Sequence, residues 1–353
     1  MRLLTSAICT TVAVGLLAGC SGNLGSSSSS LPNAGSAQSS RVHTGAHGEL
    51  SLIPSWAHPA GIQRLRLGHA ISPDAKSKEI YVSEFYGTNV YGYKNPNSSN
   101  AAPNCTISSQ SYVNGIGSDT KGELLVPTGS PSGINVYKKS GCGALDWTQT
   151  DSSGQAADAA SIKASSKVYV GEIANYTSGV GDVVICTKTG GCGAPVTNSS
   201  IANYGAGVAV DKAGDCWMSS FNSSGSAIIV YWKGCSGSGA VATGYSASSY
   251  GGLFIDKKGQ LGAIDLTGTL RVYKGCNPAC TLVGTSTLQG ESLFGNLDTK
   301  GKTLAVGDFI NGDVDVYSYN SSSGTATFQY SFNNGLSASL QPEAAVFTPT
   351  NKP

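Results

Sequence analysis

Histidine is nearly absent from this sequence: there are four, His43, His47, His58 and His69, and all of them precede residue 70. Zinc, copper and haem sites rely heavily on imidazole, and most acyl-transfer mechanisms need a histidine base. The chain also lacks the HExxH, Walker, G-x-S-x-G and Rossmann glycine motifs. These absences exclude the corresponding metal, cofactor and hydrolase chemistries from most of the chain.

Charge is scarce as well. Only 12% of the residues are charged, the formal net charge is +1, and no run of lysine and arginine occurs. A nucleic-acid-binding protein needs a concentrated basic surface to displace counterions, so we expect no nucleic-acid partner. What is abundant is glycine, with 47 residues, together with Ser, Thr, Asn and Tyr. This composition indicates an exported β protein rich in turns.

The N-terminus predicts export. Arg2 is followed by an apolar run from Leu3 to Leu17 that is too short to span a bilayer permanently. Residues 1–19 are therefore predicted to be a signal peptide. "LAGC", residues 17–20, resembles the bacterial lipobox, and that resemblance implies a lipid anchor on Cys20 in the bacterial cell envelope, facing the periplasm or the exterior. The alternative is an ordinary secretory signal with a chance cysteine.

The domain boundaries follow from composition. Residues 20–42 are rich in Gly and Ser and too poor in apolar side chains to fold, so they predict a flexible tether. Residues 43–353 are long enough for two average domains, but all-β folds often extend this far as one unit. We expect a single monomeric domain there.

One turn pattern recurs along the domain, with Asp at its first position and Gly at its fourth. The carboxylate can accept bonds from the backbone ahead, and glycine follows a type I turn without strain. Two degenerate copies, at Asp74 and Lys163, extend the pattern to a period near 45 residues. The four clear copies begin at Asp119, Asp211, Asp256 and Asp298.

Each turn joins two strands, and a second hairpin then leads to a strand that usually ends in tyrosine, as in "INVYK" and "LRVYK". A weaker fourth strand follows. Four antiparallel strands per repeat, with no room for a helix, predict an all-β, six-bladed β-propeller. A further strand-like segment at 342–350 leaves the closure of the ring open and keeps seven blades as the alternative.

The repeat, with its Asp-x-x-Gly turn, the strand "IYV", an acidic residue and a hairpin, resembles the NHL-repeat family over about residues 66–332. That resemblance implies a six-bladed propeller. The arginine that NHL repeats usually carry in the second hairpin is absent here.

We label the strands of a blade a to d from the axis outward. The b–c and d–a loops then share one rim, here called the b–c rim. Aligning the second hairpins gives one equivalent position per blade on that rim, with Glu343 nearby: Glu84, Thr128, Glu172, Ser220, Asp265 and Asp308.

These carboxylates have two alternative roles. Each can cap its own hairpin, or several can converge on one Ca²⁺ or Mg²⁺ ion. Related gluconolactonase and senescence-marker propellers hold a catalytic ion at this place. By that resemblance Glu84 or Glu343 is the candidate glutamate ligand, and Asp265 or Asp308 is the candidate base.

Eight cysteines remain after Cys9 and Cys20 are set aside, an even number that indicates disulfides in an exported chain. Local spacing favours the pairs Cys186–Cys192, Cys276–Cys280 and Cys216–Cys235. The remaining pair would be Cys105–Cys142, from neighbouring blades. Metal-binding or redox use of these cysteines is the alternative, although no CxxC motif occurs.

The sequence thus favours an envelope-anchored, non-catalytic module that binds an unknown protein or carbohydrate through the b–c rim, without a cofactor. Aromatic residues of that rim can stack on sugars or pack against a protein; they are Phe85, Tyr86, Tyr176, Tyr204, Phe221 and Tyr250. The alternative is a divalent-metal-dependent hydrolase or lactonase that uses Glu84, Glu172, Asp265, Asp308 and Glu343.

Overall fold

A computed structural model describes most of the chain from residue 79 onward. The described residues are 79–85, 87–96, 101–108, 110, 113–129, 131–139, 142, 144–160, 166–202, 204–336 and 341–351, together with the backbone of two short strands near residues 43 and 50. They contain β-strands and one 3₁₀ turn, Lys233–Cys235, but no α-helix. Within this part of the chain, no helix has the length and apolarity needed to cross a membrane.

The strands are short and follow one another closely. The first thirteen are β1 (His43–Thr44), β2 (Leu50–Ser51), β3 (Glu79–Glu84), β4 (Val90–Lys94), β5 (Cys105–Ile107), β6 (Gly117–Ser118), β7 (Leu124–Gly129), β8 (Ser132–Tyr137), β9 (Leu145–Thr150), β10 (Gly154–Ala160), β11 (Lys167–Asn175), β12 (Asp182–Thr187) and β13 (Gly191–Cys192). The others are β14 (Gly205–Val210), β15 (Cys216–Phe221), β16 (Ala227–Trp232), β17 (Ala240–Val241), β18 (Leu253–Ile255), β19 (Leu261–Asp265), β20 (Thr269–Lys274), β21 (Thr281–Thr287), β22 (Ser292–Leu297), β23 (Thr303–Asp308), β24 (Asp313–Asn320), β25 (Thr325–Phe332) and β26 (Pro342–Thr348).

Apart from the pair β1–β2, the described strands form antiparallel sets of four, as the sequence predicts. Sets 2 to 5 are separate sheets, β6–β9, β10–β13, β14–β17 and β18–β21. Set 6 is β22–β25, and set 1 is β26, β3, β4 and β5. Sets 6 and 1 are joined into one eight-stranded sheet because β22 pairs with β26 in parallel.

Ring closure uses the C-terminal segment. The strand-like stretch predicted at 342–350 is β26, which pairs antiparallel with β3 through Ala345 opposite Val82. It therefore supplies the first strand of set 1. The degenerate turn at Asp74, where the sequence pattern places the start of this set, lies outside the described residues. The total number of blades stays a prediction.

The first strands of all six sets surround one axis. A cavity of about 70 Å³ is lined by residues of β6, β10, β14, β18, β22 and β26. Near it lies a buried apolar cluster that includes Ala206 of β14, Leu293 of β22 and Ala344 of β26. The arrangement is that of a β-propeller, so the turns within the sets fall on two opposite rims.

The Asp-x-x-Gly turns have the predicted geometry. The Asp119 Oδ1 atom accepts backbone bonds from Lys121, Gly122 and Glu123 at 2.7–2.9 Å. Gly122 has φ +97°, in the left-handed region that favours glycine. In all four turns, at Asp119, Asp211, Asp256 and Asp298, the glycine N–H also donates to the backbone carbonyl of the aspartate, at 2.7–3.2 Å. Each connects the first and second strands of its set, and these turns lie on the rim opposite the b–c rim.

Candidate functional site

The b–c rim contains hairpins that bond mainly to themselves. Asp265 Oδ1 accepts the backbone N–H groups of Thr267 and Thr269, both at 3.1 Å. Its other oxygen pairs with the Arg271 guanidinium. At Asp308, Oδ1 accepts from the backbone of Ile310 and Asn311 at 3.2 and 3.0 Å. Both carboxylates therefore adopt the local capping arrangement.

The uncharged members of the aligned position are also satisfied locally. Thr128 Oγ1 donates to the Pro131 carbonyl at 3.0 Å. Ser220 Oγ donates to the Tyr204 carbonyl at 2.8 Å. Both hydroxyls therefore bond to the backbone of the protein and are not held in place for a shared ligand.

Glu84 ends β3 and is fully buried. Its backbone carbonyl accepts the Gly87 N–H at 3.0 Å, which closes the turn. Opposite it in the sheet stands Pro342, at the start of β26. Burial, followed by the Glu84 charge, raises the pKa of Tyr93 above its ordinary value. Glu84 is thus part of the interior of set 1.

Glu343 lies in β26 and is 1% exposed. Its Oε2 atom has no hydrogen-bond partner among the described residues. Burial, followed by the charge of Asp158, raises the pKa of Glu343 well above its usual range. Asp158 Oδ2 itself accepts the Val208 N–H at 3.0 Å and lines the axial cavity. A protonated Glu343 is the form that this surrounding favours.

Glu172 has a different environment. It stands directly opposite Asp182 in the β11–β12 pair, and both are fully buried. Burial first, and then Asp182 and Asp151 within hydrogen-bond reach, raise the pKa of Glu172 to about 11. Neither Asp151 nor Asp182 was predicted from the sequence as a site residue.

The five candidate carboxylates do not gather around a common point in the part of the chain that the structure describes. Two groups of three ligand atoms there lie mutually within 4.8 Å, and neither is drawn from those five alone. One group is Asp308, Asp313 and Asp315, all buried in set 6. Asp313 and Asp315 were not predicted from the sequence. They are two residues apart, which puts both side chains on the same face of β24. These residues have further interactions within the chain.

The other group contains Asp151, Cys186 and Cys192. Cys186 and Cys192 are joined in a disulfide. A thiolate metal ligand is therefore missing from this group, since metal binding by cysteine requires the free thiolate.

All four predicted disulfides are confirmed. Cα separations within the pairs are 5.9, 3.9, 5.1 and 4.1 Å in the order of the chain. Cys105–Cys142 joins set 1 to set 2, whereas the others close loops within one set. The pairs are Cys105–Cys142, Cys186–Cys192, Cys216–Cys235 and Cys276–Cys280.

Two large apolar side chains are exposed on hairpins of the b–c rim. Tyr176, in the β11–β12 hairpin, is 64% exposed, and Ile310, in the β23–β24 hairpin, is 37% exposed. Phe85, Phe221 and Tyr250 are instead buried and contribute to packing. Tyr204 is partly buried. Cys20, Tyr86 and the side chains of all four histidines lie outside the described part of the chain.

Comparison with known proteins shows the fold alone. No family model matches the chain, and no curated protein matches it. Among solved structures, a chain of a nidogen/laminin complex matches with a TM-score of 0.55 and 11% identity, covering 78% of this chain and all of that one. A Bacteroides caccae protein of unknown function matches with a TM-score of 0.55 and 10% identity, covering 78% of this chain and 100% of that one.

A Bacteroides fragilis protein, described as a candidate 6-phosphogluconolactonase, also matches. Its TM-score is 0.51 and its identity 10%, and the match covers 79% of this chain and 99% of that one. At such identities the side chains of the sites are not comparable.

Proposed function

We propose that this protein is a non-catalytic binding module of the bacterial cell envelope, tethered through a lipid on Cys20, and that its b–c rim contacts a protein or carbohydrate partner. The observation that carries the proposal is the exposure of Tyr176, at 64%, on a firmly held hairpin. A large aromatic side chain that is exposed and fixed offers contact area at a low cost in entropy.

The Tyr176 hairpin is held by several local bonds. Asn175 Oδ1 accepts the backbone N–H groups of Thr177 and Ser178 at 2.9 and 3.1 Å. The Tyr176 N–H donates to the Ser153 carbonyl at 2.7 Å, which joins the hairpin to the loop that enters β10. A partner that stacks on Tyr176 therefore meets a surface that is already organised.

The small size of the axial cavity favours a binding role on the rim over catalysis at the axis. The cavity there is about 70 Å³, whereas pockets for small-molecule ligands usually measure roughly 300–1,000 Å³. Asp265 and Asp308, the candidate bases, already use their carboxylates to hold their own hairpins.

Photo-crosslinking in cells tests the rim. A photoreactive phenylalanine replaces Tyr176 in one full-length variant and Leu282 in the control; Leu282 is 52% exposed but lies on the fourth strand β21, away from the hairpin. We expect a discrete adduct from position 176 and none from position 282. Adducts of equal yield from both positions, or from neither, would contradict the rim as the contact surface.

The second candidate is the divalent-metal-dependent hydrolase or lactonase, which the fold shared with the Bacteroides fragilis protein favours. Gluconolactone hydrolysis by the purified protein, with and without Ca²⁺ or Mg²⁺, tests it. Activity that requires the metal and falls at least tenfold in Asp265→Asn would replace the binding proposal. A rate no higher than the uncatalysed background would support the binding proposal.

A further inference from the structure

Three buried carboxylates lie near one another where set 2 is followed by set 3. Asp151 comes directly after β9, Glu172 lies on β11, and Asp182 begins β12. Their exposures are 3%, 0% and 0%. Glu172 and Asp182 are direct cross-strand partners, an arrangement in which like charges destabilise a sheet.

Donors from the chain satisfy only part of this group. Asp151 Oδ1 accepts from the backbone N–H and the hydroxyl of Ser153, at 2.9 and 2.5 Å. The same hydroxyl is 3.1 Å from Glu172 Oε1, but its single hydrogen can serve only one of the two. Asn175 Nδ2 donates to Asp182 Oδ2 at 2.9 Å.

One oxygen of each carboxylate is left without a donor. Among the described residues, Asp151 Oδ2, Glu172 Oε2 and Asp182 Oδ1 are closed to solvent and accept no hydrogen bond. Such atoms are costly in a native protein and call for an unseen partner.

In the part of the chain that the structure describes, no lysine or arginine forms an ion pair with these three carboxylates; Lys188 pairs with Asp146 and Arg271 with Asp265. Burial, the largest cause, raises the pKa of Asp182, and burial with its two neighbours raises that of Glu172 to about 11. Buried carboxylates in contact need a proton or a cation between them.

We propose that Asp151, Glu172 and Asp182 bind one divalent cation, of which Ca²⁺ fits best. All available donors are oxygen atoms, and Ca²⁺ accepts carboxylates in flexible geometry. Glu172 is the central ligand because it stands opposite Asp182 in the sheet and shares the Ser153 hydroxyl with Asp151. The ligand atoms of the three do not all lie within 4.8 Å of one another, and we expect the carboxylates to move closer together when the ion binds. The disulfide between Cys186 and Cys192 removes the thiolates that would favour zinc.

The ion would link the β9–β10 connection to the β11–β12 hairpin. Asp151 belongs to the connection from β9 to β10, and Asp182 closes the hairpin that carries Tyr176. The Tyr176–Ser153 backbone bond already joins these segments. The cation thus adds a second link between them, and this inference does not depend on what the rim binds.

Thermal unfolding of the full-length protein, freed of metal with EDTA, tests the site. We expect Ca²⁺ at a hundredfold excess over its Kd to raise the Tm by about 4 °C or more. Terbium, a Ca²⁺ substitute, should show luminescence sensitised by nearby aromatic residues and be displaced by Ca²⁺. A wild-type Tm that does not change up to about 10⁻² M Ca²⁺, roughly tenfold above the Kd of the weakest calcium sites, would overturn the proposal.

Two isosteric variants locate the ion. Glu172→Gln and Asp182→Asn should lose the Ca²⁺-dependent rise in Tm, and without metal they should be at least as stable as wild type because each replaces a carboxyl group that lies beside other buried acids with a neutral amide. Asp315→Asn, in the other acidic group, is the matched control and should keep the rise. If Asp315→Asn alone abolishes the rise, the ion is bound elsewhere and the proposal is wrong.

Crystals of the wild-type protein with terbium decide the matter if neither variant folds. An anomalous peak at about 2.3–2.6 Å from oxygens of Asp151, Glu172 and Asp182 supports the site. A peak at any other place, or no peak, overturns it.

Discussion

The phenol of Tyr319 donates a hydrogen bond of 3.0 Å to Oδ2 of Asp256. Tyr319 lies on the third strand of set 6, and Asp256 begins the Asp-x-x-Gly turn of set 5. Asp256 Oδ1 meanwhile accepts from the backbone of Lys258 and Gln260 at 2.8 and 2.9 Å. One carboxylate therefore holds its own turn and fastens that turn to the neighbouring set.

The double role of Asp256 predicts a graded loss of stability. Asp256→Ala should lower the free energy of unfolding by about 3 kcal/mol, because it removes the turn bonds and leaves a buried phenol without its acceptor. Asp211→Ala, at a more exposed turn of the same kind, should cost about half as much. Urea unfolding of both variants, together with Tyr319→Phe for a double-mutant cycle, measures the difference. Equal losses at the two turns would refute the link to Tyr319.

Glu291 predicts a pH dependence of stability. It is 5% exposed, and burial, followed by the charge of Asp308, raises its pKa from 4.5 to about 7. The native state thus holds the proton more tightly than the unfolded state. The stabilisation is complete below pH 4.5 and is lost as the pH rises toward 7, by on the order of 3 kcal/mol.

Glu291→Gln should remove that loss. The unfolding free energy of the wild type minus that of this variant should therefore decrease by on the order of 3 kcal/mol between pH 4.5 and 7.5. Asp146→Asn, whose carboxylate pairs with Lys188 near the surface, serves as the control and should follow the wild-type curve. A constant difference between wild type and Glu291→Gln over this range would show that Glu291 titrates normally.

Cys20 predicts the location of the protein. In a bacterial host, Cys20→Ala should move the protein from the membrane fraction to the soluble envelope fraction, since the acyl chains supply the attachment. Cys9→Ala, a matched change within the apolar run, should stay with the membrane. Labelling with a radioactive fatty acid gives an independent measurement. Label retained by Cys20→Ala would place the acylation on another residue.

The sequence could reveal the strands and turns because their signals are local. An Asp-x-x-Gly turn such as Asp119–Gly122 needs only its own backbone donors, so the pattern predicts its bonds correctly. The cysteine pairs were readable for the same reason, since three of them close short loops. Even β26 was visible as an apolar strand, although its partner β3 lies more than two hundred residues away.

The grouping of the carboxylates could not be read in this way. Glu172 and Asp265 occupy similar hairpin ends, yet Glu172 faces other buried acids, whereas Asp265 caps its own turn and pairs with Arg271. Whether a carboxylate faces other acids or caps its own turn depends on its rotamer and on the residues of the neighbouring set. Asp151 belongs to a different repeat from Glu172, so no local pattern connects the two residues.

Oxidative footprinting of the native chain tests the central claim, that the b–c rim is covered by a partner in the envelope, most directly. The oxidation rates of exposed side chains are compared between intact cells and the purified protein. Tyr176 and Ile310 should be oxidised more slowly in cells, while Leu145 and Leu282, 48% and 52% exposed, should not change. Protection of Leu145 and Leu282 with Tyr176 unprotected would contradict the account.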